Sequence, residues 1–256
     1  MGVDCSRILE ASVFKDVKVH VKLANERCYL CGISLRIYDL KPGEKPPADS
    51  KTRDHVPPVG LFPDPKPSDL VTVPCCFKCN NTHSGFDERL RALAALPFDR
   101  NSAGNLILTE KVIKRTFANA RQADFVKSIV NSMHQLPGSD LIRMRIPADE
   151  FRAGAVRITK GLLAFLHKGL DYYGSHFYVE PISPEPFDAQ LRLMAMLRQG
   201  QHFQRGERVF QCWYHVEQKR SAGYWMLLFY ECFGFFVSHA NDPEGFHRWQ
   251  KSRGFE

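Results

Sequence analysis

Two periods of apolar spacing divide this chain. From residue 208 to 239 the period is two: Phe210, Cys212, Tyr214 and Val216 fall on one side, as alternate residues do on a strand. A turn at 218–223 leads into 224–233, almost wholly apolar, and 235–239 follows. This pattern predicts a β-meander whose central strand is covered on both faces. Between 105 and 136 the spacing is helical, with Ile113, Phe117, Val126, Ile129, Val130, Met133 and Leu136 on one side and Lys or Arg on the other. Pro137-Gly138 ends that stretch, and 141–147 alternates as a short strand. Ile158, Leu162, Phe165 and Leu166 mark a further helix stopped at Gly169, and Phe187, Leu191, Met194 and Leu197 mark another stopped at Gly200.

Before Pro97 the elements are shorter. Residues 17–22 alternate as a half-buried strand, and 33–40 and 52–56 read as two more. Pro57 and Pro58 end the last of these, because neither can donate to a sheet ladder. Residues 59–68 carry three more prolines and read as a surface loop. Residues 87–96 form a strong helix, acidic in its first turn and closed by Pro97. The best boundary is 97–105. It leaves an N-terminal segment (1–19), a first unit (20–96) and a mixed helical and antiparallel-sheet unit (101–256), an α+β chain overall.

Composition narrows the class. A chain of 256 residues with 44% apolar and 25% charged positions is that of an ordinary soluble globular protein. No apolar run has the length of a membrane span, and the first residues lack the regions of a signal peptide. The expected setting is the reducing cytoplasm, without membrane contact. A formal charge of +7 favours approach to a phosphate backbone without identifying one.

The chemistry is concentrated in the first unit. Cys28 and Cys31 form one Cys-x-x-Cys pair and Cys76 and Cys79 another, with 44 residues between. A two-residue gap turns both thiolates of a pair toward one ion, so the pairs predict a tetrahedral structural Zn²⁺ site. Cys75 breaks that spacing and reads as a packing residue; Cys5, Cys212 and Cys232 are scattered. The stretch between the pairs holds Asp54-His55, and the second pair runs into Asn80 and His83. The remaining histidines share no spacing that predicts a second metal site, and Trp213 and Trp225 read as core.

In these residues the chain resembles the HNH endonuclease family, whose fold is called ββα-metal. The pattern runs Cys-x-x-Cys, Asp-His-(Ile/Val)-x-Pro, Cys-x-x-Cys-(Asn/His), matched by Cys28, Cys31, Asp54, His55, Val56, Pro58, Cys76, Cys79 and Asn80. The resemblance covers about 70 of the residues, roughly 27–96. It implies a nuclease that hydrolyses phosphodiester bonds in DNA, with His55 as general base. A catalytic divalent ion, Mg²⁺ by default, would be held by Asp54 and Asn80, with His83 a further ligand or a phosphate-facing donor. An imidazole suits the base because its ordinary pKa lies near neutrality. The family's middle Asn has no counterpart, since no Asn stands between Asp54 and Cys79; Asp69 is the nearest polar candidate. The alternative is a catalytically silent zinc module that binds nucleic acid or a protein partner.

Overall fold

The structure is a computed structural model that describes residues 21–97, 99–135, 137–138, 142–145, 147–183, 186, 188–217, 221–244, 247 and 251. The segment 1–19, most of the expected strand at 17–22, and Leu136 and Phe187 lie outside the described residues.

Strands β1 (Val21–Arg27) and β2 (Ser34–Tyr38) form an antiparallel pair. The first cysteine pair occupies the turn between them. Gly32 follows at φ +74, the left-handed conformation that its missing side chain permits. Strand β3 (Lys51–His55) pairs antiparallel with β4 (Thr72–Cys76), setting Asp54 opposite Val73 and His55 opposite Thr72. Helix α1 (Phe77–Thr82) starts directly after β4, with the Cys76 sulfur accepting from the Cys79 N–H at its first turn. Helix α2 (Ser84–Ala95) follows after one residue, His83. The break between the two helices falls at His83, and Gly85 lies inside α2.

The stretch expected as one long helix is several pieces. Helix α3 (Ser102–Ile107), a π-helical segment (Leu108–Ile113) and α4 (Lys114–Ala118) precede Asn119. The Asn119 side chain accepts from the N–H groups of Arg121 and Gln122 and so caps a new helix, α5 (Ala120–Ser132). The wide turn and the restart shift the helical phase. Phe117, placed on the buried side by its spacing, is 88% exposed, whereas Ile107 and Val112 are buried.

Two short strands, β5 (His134–Gln135) and β6 (Ile142–Arg143), lead to α6 (Ala148–Leu166). Then come β7 (His176–Pro181), α7 (Asp188–Arg198), β8 (Gln201–Arg205), β9 (Phe210–Glu217), β10 (Ala222–Phe229) and β11 (Phe233–Ala240). The expected meander is the centre of a five-stranded antiparallel sheet in the order β7-β11-β10-β9-β8. Its near-continuous apolar strand β10 is explained by cover on both faces. Trp225, Leu227 and Phe229 join the main core, while Ala222, Tyr224 and Met226 join a second cluster with Leu197 of α7.

The main core is continuous across the boundary expected at 97–105. It runs from Cys28, Tyr29 and Val56 through Leu90 and Leu93 to Ile158, Leu162, Trp225 and Phe235. Helix α6 makes the join, and two glycines two turns apart let it approach closely. A Cβ on Gly154 would lie 1.8 Å from the Phe86 ring, and one on Gly161 would lie 2.4 Å from a Val56 methyl.

Candidate metal centre and the Asp54 network

The four paired cysteines meet. The Sγ atoms of Cys28, Cys31, Cys76 and Cys79 all lie within 4.8 Å of one another, and among the described residues no other His, Cys, Asp and Glu group is so placed. The Cys31 and Cys76 sulfurs are 3.9 Å apart, close to the edge of a tetrahedron with Zn–S bonds of about 2.3 Å. The donor set therefore fits a structural ion such as zinc. Local backbone bonds shape it: the Gly32 N–H donates to the Cys28 carbonyl, and the Tyr29 N–H donates to the Pro74 carbonyl of β4. Cys75 packs as a buried fifth thiol, its sulfur 3.9 Å from that of Cys28. Contact with Cys75 holds the Cys28 thiol down at about 4 against the effect of burial, while the same contact pushes Cys75 upward. Cys75 thus lies beside the four-cysteine group without being part of it. Lys160, half-buried on α6, feels the charge of Cys28, Cys31 and Cys79, which opposes the lowering of its pKa by burial.

Asp54 lies in a different setting from the one its motif implies. It is 6% exposed. Its carboxylate accepts from Arg157 Nη2 at 2.7 and 2.8 Å, from Arg157 Nε at 3.2 Å, and from the Tyr29 hydroxyl at 2.6 Å. Arg157 Nη1 also donates to Asp87 on α2. Burial works against the charge on Arg157, but Tyr29, Asp87 and Asp54 outweigh it and leave its pKa above the ordinary value. Burial pushes Asp87 up to about 6 despite Arg157. Tyr29 is raised by burial and by Asp54. A divalent ion on Asp54 would share the same oxygens with a guanidinium. The carboxylate as arranged does not fit the ion that the resemblance implies.

The other motif residues surround this network. His55, half-buried at the end of β3, takes no hydrogen bond from the described residues. The Asn80 amide nitrogen donates to Thr52 Oγ1 at 3.3 Å and to the Arg53 carbonyl at 3.4 Å, fastening α1 to β3. His83 is half-buried between α1 and α2; burial lowers its pKa, Arg157 adds to that, and Asp54 opposes it. Asp69 is exposed and pairs with Arg205 at 3.4 Å.

No family model, curated protein or solved structure matches the chain. No described helix is long and apolar enough to cross a membrane.

The motif reading missed Tyr29, Arg157 and the pairing role of Asp87. Arg157 did leave a signal: a charged residue between Gly154 and Gly161, among the buried positions of α6.

Proposed function

We propose that the protein is an endonuclease of the HNH type that hydrolyses phosphodiester bonds in DNA, with His55 as general base. One observation carries this reading. Strand β3, strand β4 and α1 follow one another in strand–strand–helix order, closed by the four cysteines, with a half-exposed His55 at the end of the first strand. A neutral imidazole there can take the proton of a water attacking phosphorus. Asn80 ties the helix to the strand that presents it, and zinc on the four cysteines holds the unit together. Seven described cysteines are free thiols, which suits a reducing compartment such as the cytoplasm. The resemblance assigns a catalytic Mg²⁺ to Asp54, Asn80 and His83. Of these, Asp54 is already engaged by Arg157.

A nicking assay on supercoiled plasmid tests the proposal, run with Mg²⁺, with Mn²⁺ and with neither. Cleavage by the zinc-loaded protein is expected, and His55→Ala should lower its rate by roughly 10²–10⁴-fold with zinc content intact, the usual worth of a positioned base. Cleavage at the wild-type rate by His55→Ala sinks the assignment. The ion pair between Asp54 and Arg157 favours a second reading, a catalytically silent zinc module that binds nucleic acid or a protein partner. That reading expects no cleavage under any condition, and DNA affinity indifferent to His55→Ala.

A further inference from the structure

We infer that Arg157 is the resident cation of the Asp54 site: α6 places a guanidinium where a divalent ion would otherwise bind, and holds that ion out. The Asp54 oxygen Oδ2 accepts three contacts and Oδ1 one, all from Arg157 or Tyr29. The two charged side chains are 3% and 7% exposed, so solvent and salt screen little of the repulsion a second cation would meet. On its far side the guanidinium is fixed by Asp87. The close seating of α6 points the same way. Glycine inside a helix is unfavourable relative to alanine, yet α6 carries Gly154 and Gly161 against Phe86 and Val56, one on either side of Arg157. The second of these contacts is to the residue directly after His55. Arg157 is thereby a positioning residue. It holds the Asp54 carboxylate in place and fixes the end of the strand that presents the proposed base.

Removing the guanidinium would leave two carboxylates, Asp54 and Asp87, that had faced one cation. Such a pair attracts a divalent ion in its place. The inference takes its site from the HNH reading, but its test measures metal binding and not cleavage, so either can fail alone.

The test is a Mn²⁺ titration of the full-length, zinc-loaded chain followed by electron paramagnetic resonance, with zinc content and circular dichroism as checks on folding. With Arg157 present, wild type and Asp54→Asn should bind Mn²⁺ alike. Arg157→Gln should gain binding at least about tenfold tighter, of the size seen when the surroundings of a metal ligand change. That gain should disappear in Arg157→Gln/Asp54→Asn. Two results overturn the inference: weaker Mn²⁺ binding by Asp54→Asn than by wild type, or no gain in an Arg157→Gln protein that retains its zinc. Should Arg157→Gln lose its zinc, the comparison of wild type with Asp54→Asn decides alone.

Discussion

The cysteine-closed unit and the five-stranded sheet solve the same stability problem by different means. The first has five-residue strands, a proline-rich loop and short helices. Elements of that size bury little apolar surface by themselves, and an ion on the four cysteines would supply what is missing. The sheet has three strands of eight residues with apolar clusters on both faces, and aromatic contacts such as Tyr214 on Trp225, 4.8 Å between ring centres. It needs no ion. Polar and charged side chains collect in the unit that is closed by the four cysteines and by α6.

Removing the metal is the largest perturbation available. Structural zinc in small domains contributes roughly 10–16 kcal/mol of apparent binding free energy near neutral pH. Cys76→Ser, or a strong chelator, should abolish amide-exchange protection across β3, β4 and α1 while the Trp225 emission of the sheet stays that of a buried indole. Cys75→Ser should retain one zinc per chain. Protection that survives zinc removal would break the contrast, and loss of zinc in Cys75→Ser would mean the wrong thiol was named as ligand.

The sheet has its own weak point, and it is acid. His239 is fully buried, its Nδ1 accepting from Trp225 Nε1 at 3.1 Å. Burial, with His167 nearby, pushes its pKa down from 6.5 to about 4. The folded state therefore binds this proton less readily than the unfolded chain. The stabilisation is whole above pH 6.5, is lost as pH falls through that window, and levels off below about 4. The loss amounts to about 3 kcal/mol. Denaturant unfolding followed by tryptophan emission should show this slope, and His239→Gln, which keeps an acceptor for Trp225, should flatten it. Asp87 has the opposite sign. Its pKa is raised from 3.8 to about 6, so its contribution is present below 3.8 and lost as pH rises through 6. An equal slope in wild type and His239→Gln would remove His239 from the account.

What the sequence revealed follows the same division. The meander strands were legible because the alternation of β9 and the apolar run of β10 are strong local signals. Strands β7 and β8 were not: both are short edge strands, Gln201–Arg205 holds one apolar residue, Phe203, and in His176–Pro181 the apolar Phe177, Tyr178 and Val179 are consecutive, not alternating. The grouping of the four cysteines was legible because two-residue spacing turns both thiols of a pair the same way. Arg157 was not legible as the partner of Asp54, because the two are 103 positions apart and nothing local marks the pairing. The phase error at Phe117 has a local cause, a π turn followed by the new cap at Asn119, and neither announces itself in apolar spacing.

The seam between the two regions gives the smallest expected effect and the sharpest sign. Alanine at Gly154 or Gly161 should strengthen α6 by about 1 kcal/mol if helix propensity alone decided. The close approach argues otherwise, because the added Cβ would meet Phe86 Cζ at 1.8 Å or Val56 Cγ2 at 2.4 Å. Forcing an extra carbon into a packed contact costs typically about 1–3 kcal/mol, so the net effect should be destabilising by about 1 kcal/mol. Phe86 and Val56 belong to the cysteine-closed unit and the glycines to α6. The loss should therefore appear in urea unfolding and also as faster amide exchange in β3, even though the substitution lies about 100 residues further along the chain. Phe86→Leu should offset part of the loss at Gly154 and none of it at Gly161. An alanine variant as stable as wild type would mean that the seam can give way, and that α6 does not need its glycines to bring Arg157 to Asp54.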